Sequence, residues 1–157
     1  MKEKTLIVVT GPTGVGKTEA TLRLAERFDV PVINADSRQI FSEIPIGTAA
    51  PTAAQQARVR HYFVGNHHLE DYYSASLFEE DVLKIINEAS SKVSLLSGGS
   101  MMYIDAVCKG IDDIPTIDAK TRELLRQKLA HQGLAELTKE LQQLDPEYYE
   151  LVDKKNP

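Results

Sequence analysis

The run Gly11-Pro12-Thr13-Gly14-Val15-Gly16-Lys17-Thr18 carries the most specific chemistry in the sequence. Its spacing is G-x-x-x-x-G-K-T, and it sits between the β-branched apolar stretch 5–10 and a helical pattern. That context is the one a phosphate-cradling loop requires. The glycines let the backbone curl so that successive N–H groups point inward, and the following helix adds its positive end. Lys17 is then a point charge within reach of a terminal phosphate, and the Thr18 hydroxyl is a ligand for Mg²⁺. The loop specifies a polyphosphate without saying which, or whether a phosphoryl group is transferred.

The elements that must hold this loop follow in order. Positions 19–28 place Leu22, Leu24, Ala25 and Phe28 near one face of a helix, and Asp29 leads into a short strand, 30–34. The resulting β-α-β unit predicts a P-loop-type, doubly wound parallel sheet with helices on both faces and ligands at the carboxyl ends of its strands. Residues 34–39 then lie beside the phosphate loop. Asp36 is the obvious unpaired acid among them, and it suits either a general base opposite the phosphates or an aspartate capping a turn. Beyond it the sequence predicts a loop over 40–51, a short helix over 52–59 and a strand over 61–64. Ser76 and Glu79 have capping-box spacing for a helix reaching about residue 90, with Leu77, Phe78, Val82, Ile85 and Ile86 as its apolar face. A strand at 93–96 runs into the tight turn Ser97-Gly98-Gly99-Ser100, and a helix over 101–109 closes at Gly110. Phosphate-loop kinases usually end a strand in Asp to hold Mg²⁺, and this strand ends in Ser-Gly-Gly instead.

The pattern changes after about residue 111. Pro115 breaks it, Asp118 can cap a helix over 119–131, and Gly133 interrupts before Leu134, Leu137, Leu141 and Leu144 line a second helix. Asp145-Pro146 opens a third, short helix. We therefore expect a core domain at 1–113 with an incomplete sheet, and at 114–157 the start of a helical subdomain that is cut short, since an amphipathic hairpin rarely ends such a fold uncovered. The 157 residues, 42% of them hydrophobic, suffice for one sizeable core. No stretch approaches the roughly 20 apolar residues of a membrane helix, and Met1-Lys2-Glu3-Lys4 lacks the character of a signal sequence, so a cytoplasmic protein with no membrane partner is expected. The formal net charge of −5 argues against a broad nucleic-acid surface but leaves local basic patches open. Cys108, the single cysteine, falls within a helical pattern and is expected to be a small core residue.

Four motifs in order, 11–18, Ala35-Asp36-Ser37-Arg38-Gln39-Ile40-Phe41, Ile46-Gly47-Thr48-Ala49 and Ser97-Gly98-Gly99-Ser100-Met101-Met102-Tyr103, resemble the tRNA dimethylallyltransferases, also called tRNA isopentenyltransferases. The likeness spans nearly the whole chain. It implies that Gly11, Pro12, Thr13, Gly14, Val15, Gly16, Lys17 and Thr18 hold dimethylallyl diphosphate, with Mg²⁺ at Thr18. It also implies that the prenyl group passes to N6 of the adenine beside the anticodon. Lys17 and Thr18 would stabilise the departing pyrophosphate and Asp36 would take the amine proton. By the same resemblance Asp36, Ser37, Arg38, Gln39, Ser100 and Arg122 contact the tRNA anticodon stem-loop around an extruded adenine. A monomer is expected.

The sequence departs from this family where Ala50 replaces a frequent lysine, and in length, since the family continues with another strand and a basic segment. The chain by itself is thus expected to be weakly active or inactive. His67-His68 do not form a metal pair, because adjacent side chains diverge. Two other readings remain open on the residues: a P-loop small-molecule kinase or NTPase that binds ATP, and a non-catalytic module that binds phosphate or tRNA.

Overall fold

In a computed structural model of the chain, residues 4–12, 14–111 and 117–155 are described. Thr13, the Pro115 break, the expected boundary at 113/114 and both chain ends lie outside them. Two compact units result, Met1–Asp112 and Asp113–Pro157.

The first unit is a parallel sheet of four strands in the order β1-β4-β2-β3, comprising β1 (Thr5–Thr10), β2 (Val32–Asn34), β3 (His61–Tyr62) and β4 (Val93–Gly98). Helix α1 (Lys17–Phe28) carries the chain from β1 past the place of β4 to β2, and α3 (Ala75–Glu88) brings it back from β3 to β4. Right-handed crossovers running in opposite directions must lie on opposite faces. Burial agrees, because successive strand residues alternate between two cores. Val32 and Leu95 pack with Ala25 of α1, whereas Ile33 and Leu96 pack with Phe78 and Val82 of α3 and with Tyr103, Ile104 and Ala106 of α4 (Met101–Lys109). In the second core the Phe78 ring stacks on Tyr103 at 4.6 Å between centroids and meets Phe63 edge-on at 5.0 Å. The expected doubly wound parallel sheet with helices on both faces is therefore present.

Several local expectations change. Helix α1 begins at Lys17 rather than residue 19, so the phosphate loop itself is its cap, with Gly16 at φ 91°. β3 ends early because Phe63 takes φ 60°, a left-handed conformation that turns its ring into the core. The N-cap of α3 is Ser74, whose hydroxyl accepts from the Leu77 N–H, and not Ser76. Starting a residue before Ser76 buries Ala75, Phe78 and Val82 and leaves Leu77 exposed. Glu79, freed from a capping box, accepts from the Ile111 N–H at 3.1 Å. The short helix α2 (Ala53–Arg58) does have a capping box, between Thr52 and Gln55. Cys108 is exposed, because the buried face of α4 is set by Tyr103, Ile104 and Ala106 and position 108 falls off it.

The second unit holds α5 (Ala119–Gln132), α6 (Leu134–Leu144) and α7 (Pro146–Leu151). Asp118 caps α5 by accepting from the Thr121 N–H at 2.7 Å, Asp145 caps α7 at Tyr148, and Gly133 joins α5 to α6 at φ 78°. Lys128 pairs with Glu140 across the hairpin. None of the described residues of these helices is fully buried. Among the described residues, no helix is long and apolar enough to cross a membrane.

Candidate active site

At the carboxyl ends of the strands, where β4 enters the gap between β1 and β2, lies a cavity of about 430 Å³. Gly11, Pro12, Gly14, Gly16, Lys17 and Thr18 form one wall, and Asp36, Gln39, Thr48 and Ala49 form another. The floor is made by Thr21, Asn34, Ser97 and Gly98. A larger concavity of about 640 Å³ opens at the amino ends of the strands, beside Asp29, Arg58, Arg60 and Ser94, but no glycine loop or helix N-terminus faces it. Chemistry rather than size selects the first cavity.

Gly14 and Gly16 stand at φ 83° and 91°, the left-handed conformation that a loop aiming its amides inward requires. The Lys17 ammonium folds back across the loop and donates to the Pro12 carbonyl at 2.7 Å, which holds its charge over the concave side. Thr18 is exposed in the first turn of α1 and lines the cavity. Val15 stays exposed at the loop tip.

Across the cavity, β2 ends in Asn34 and the chain turns at Asp36. One oxygen of its carboxylate, Oδ1, accepts from the Arg38 N–H at 3.0 Å and the Gln39 N–H at 3.3 Å. The turn-capping role is thus realised, and it fixes the carboxylate without engaging Oδ2 in either bond. Gln39 donates from Nε2 to the carbonyls of Thr48 and Ala49 at 3.0 and 3.3 Å, and so pins the 44–51 loop to the rim. Arg38 is exposed. Ser100 stands at the N-cap of α4 yet makes no capping bond, because its hydroxyl is turned to Ser37. The structure thereby brings Gly11, Pro12, Gly14, Gly16, Lys17, Thr18, Asp36 and Gln39 around one cavity; Val15, Ser37, Arg38 and Ser100 do not line it, and Arg122 lies in the first turn of α5 in the other unit.

Sequence reasoning missed the floor. The Thr21 and Ser97 hydroxyls share a buried hydrogen bond of 2.8 Å that ties α1 to the end of β4, and the Asn34 side chain donates to the Phe63 carbonyl at 3.0 Å. His61 also lines the cavity; its Nδ1 bonds the Val59 carbonyl at 2.8 Å, and burial holds its pKa below the ordinary imidazole value. Thr21 lies one turn beyond Lys17, a spacing that could have flagged it.

Farther out, His68 Nδ1 lies 2.8 Å from Glu43 Oε1, joining the start of the rim loop to the segment after β3. The Glu43 hydrogen bond raises the His68 pKa above 6.5, and the His68 bond lowers that of Glu43 below 4.5. The His68 share of stability is complete below about pH 6.5 and is lost as pH rises through the raised value; the Glu43 share is complete above about pH 4.5 and is lost as pH falls through the lowered one. Both are present between those limits. An NMR titration should give a His68 midpoint above 6.5 that returns to the ordinary value in Glu43→Gln; a midpoint indifferent to that substitution would show that the pair does not form.

With this geometry in place, a comparison with protein-family models matches residues 39–157 to "IPP transferase". The chain belongs to the IPP transferase family. A curated relative, tRNA dimethylallyltransferase 1 of Bacteroides fragilis (strain YCH46), is 58% identical over 159 residues, covering 100% of this chain and 53% of the relative. The structure of the full-length tRNA isopentenylpyrophosphate transferase from Bacillus halodurans matches with a TM-score of 0.67 and 29% identity, over 99% of this chain and 52% of that one. A eukaryotic dimethylallyltransferase described as acting on tRNA shares the fold, with a TM-score of 0.78 and 23% identity over 99% of this chain and 39% of that one. The chain spans about half the length of the curated relatives it matches. In this IPP transferase chain the phosphate loop and Asp36 lie ahead of the family match, so the cavity joins residues on both sides of its start.

Proposed function

We propose that the protein transfers a dimethylallyl group from dimethylallyl diphosphate to the exocyclic N6 of the tRNA adenosine beside the anticodon, releasing pyrophosphate. One observation carries this reading: a phosphate loop and a carboxylate face each other across one cavity, and among the lining residues Asp36 is the only acid. Phosphoryl transfer to water or a small acceptor would call for a second acid at the end of β4, where Ser97-Gly98-Gly99 stands instead. Transfer of carbon makes other demands. As the carbon–oxygen bond breaks, negative charge grows on the leaving pyrophosphate, and the loop amides and Lys17 take it up. As the nitrogen–carbon bond forms, N6 gives up a proton, which Asp36 Oδ2 accepts.

The donor set fits Mg²⁺. A single threonine hydroxyl with diphosphate oxygens and water is the hard, oxygen-only shell that this ion prefers, and among the described residues there is no cluster of three His, Cys, Asp or Glu to hold a softer metal. Bound at Thr18, it would supply further neutralisation of the leaving group. We assign the tRNA anticodon stem-loop to Asp36, Ser37, Arg38, Gln39, Ser100 and Arg122, with 114–157 as the beginning of a helical tRNA-binding insertion. A monomer working in the cytoplasm fits this role.

Calorimetry against dimethylallyl diphosphate and ATP, each with Mg²⁺, together with labelled dimethylallyl diphosphate and tRNA, tests the proposal. Tighter binding of the allylic diphosphate is expected, with label reaching tRNA in the complete enzyme and weakly or not at all with this chain by itself. Preference for ATP with phosphate appearing on a small acceptor would overturn it.

A further inference from the structure

The proton acceptor just assigned sits between two elements that Ser100 connects. Immediately before Asp36, the Ala35 carbonyl accepts from the Ser100 N–H at 3.1 Å. Immediately after it, the Ser37 N–H donates to Ser100 Oγ at 2.8 Å, and Ser100 Oγ lies 3.0 Å from Ser37 Oγ as donor. One residue of the β4–α4 turn therefore holds both peptide groups that flank Asp36. The hydroxyl is free to do so because it does not cap α4, although it occupies the capping position. Asp36 Oδ1 itself accepts local bonds from the Arg38 and Gln39 N–H groups, which orient the carboxylate relative to its turn but not relative to the phosphate loop. The link to the phosphate loop runs through the sheet: β4 pairs with β1, which leads into that loop, and with β2, which ends at Asn34 two residues before Asp36. Ser100 extends that link past the last ladder pair.

We infer that Ser100 is a positioning residue for Asp36, holding the carboxylate at a fixed distance from the phosphate loop by clamping the peptide groups on either side of it. The inference rests on the proposed transfer reaction. It gives Ser100, assigned above to the tRNA-contacting group, a second role toward protein backbone, its hydroxyl accepting from the Ser37 N–H. A threonine, which keeps the hydroxyl, can make the same bonds. Alanine keeps the N–H bond to Ala35 and loses both bonds to Ser37.

Two measurements on the same variants decide it. In steady-state kinetics, Ser100→Ala should lower kcat about fivefold to tenfold with KM for tRNA within about twofold, and Ser100→Thr should restore kcat. A role in tRNA contact alone would instead raise KM in Ser100→Ala with kcat kept, and that result would overturn the inference, as would failure of threonine to rescue. In amide hydrogen exchange followed by NMR, the Ser37 N–H should exchange about fivefold to tenfold faster in Ser100→Ala and at the wild-type rate in Ser100→Thr. Unchanged Ser37 exchange in Ser100→Ala overturns the clamp whatever the kinetics show. If the wild-type protein instead prefers ATP and moves phosphate to a small acceptor, the transfer reading fails, and the exchange measurement alone still decides whether Ser100 fixes the turn that carries Asp36. It decides equally where the chain by itself is too weakly active for kinetics. Should Ser100→Ala not fold, Ser100→Cys keeps the bulk but replaces the hydroxyl with a weak acceptor, and the Ser37 N–H should again exchange faster; unchanged exchange there overturns the inference.

Discussion

Asp36→Asn should reduce turnover of the complete enzyme by a factor of about 10² to 10⁴ while leaving the affinity for the diphosphate within a few-fold of wild type. The asparagine is nearly isosteric, and its side-chain oxygen can still accept from the N–H groups of Arg38 and Gln39 that now bond Oδ1. The turn is therefore kept and the wall of the cavity does not move. What disappears is the only carboxylate among the residues lining the cavity, and with it the acceptor for the amine proton. Phosphate affinity should hardly change, because the loop amides and Lys17 lie on the opposite wall and removal of a negative charge across the cavity slightly favours an anion. The measurement is single-turnover transfer of label to tRNA beside calorimetric titration with dimethylallyl diphosphate. Turnover near the wild-type level would show that Asp36 is only a turn cap, the alternative its two backbone bonds already support.

How far this site could be read from residues alone follows from the range of the interactions that build it. The phosphate loop is legible because its glycines are a local demand: Gly14 and Gly16 need positive φ wherever the fold puts them, and the strand and helix that flank the loop are written in the adjacent residues. Asp36 is legible one step later, since a β-α-β unit must return its second strand to the same edge of the sheet. The Thr21–Ser97 bond joins positions 76 apart in sequence, and nothing near either residue announces the other. The bond from Gln39 to the 44–51 loop has the same character at shorter range, because the loop could have closed in many ways. The α3 cap fails for a local reason. Ser74 and Ser76 are both good caps, and only the burial of Ala75, Phe78 and Val82 against the sheet chooses between them. Cys108 fails similarly, because a nine-residue helix leaves the buried arc undetermined until its neighbours are known.

The choice of glycine at position 98 shows the same limit, and it supplies the largest expected effect on stability. Gly98 ends β4 beside Ala35, whose N–H donates to the Ser97 carbonyl at 2.8 Å and whose carbonyl accepts from Ser100. A Cβ on Gly98 would lie 2.8 Å from Ala35 Cα and closer still to that residue's carbonyl group. Those atoms are backbone in a buried sheet, so no side-chain rotation relieves the overlap. Gly98→Ala should therefore destabilise the protein by about 3 kcal/mol or more. Gly99→Ala is the control: nothing lies within 4 Å of a Cβ there, and the residue is exposed, so a change within about 0.5 kcal/mol is expected. Urea denaturation of the two variants separates them, and equal midpoints would show that the two backbones do not approach in solution as they do here. Whatever fraction of Gly98→Ala remains folded should also transfer slowly, because relief of the overlap must displace the Ala35 peptide, and Asp36 is the next residue. A folded, fully active Gly98→Ala would mean that the approach of β4 to β2 sets neither the stability of the sheet nor the place of its carboxylate.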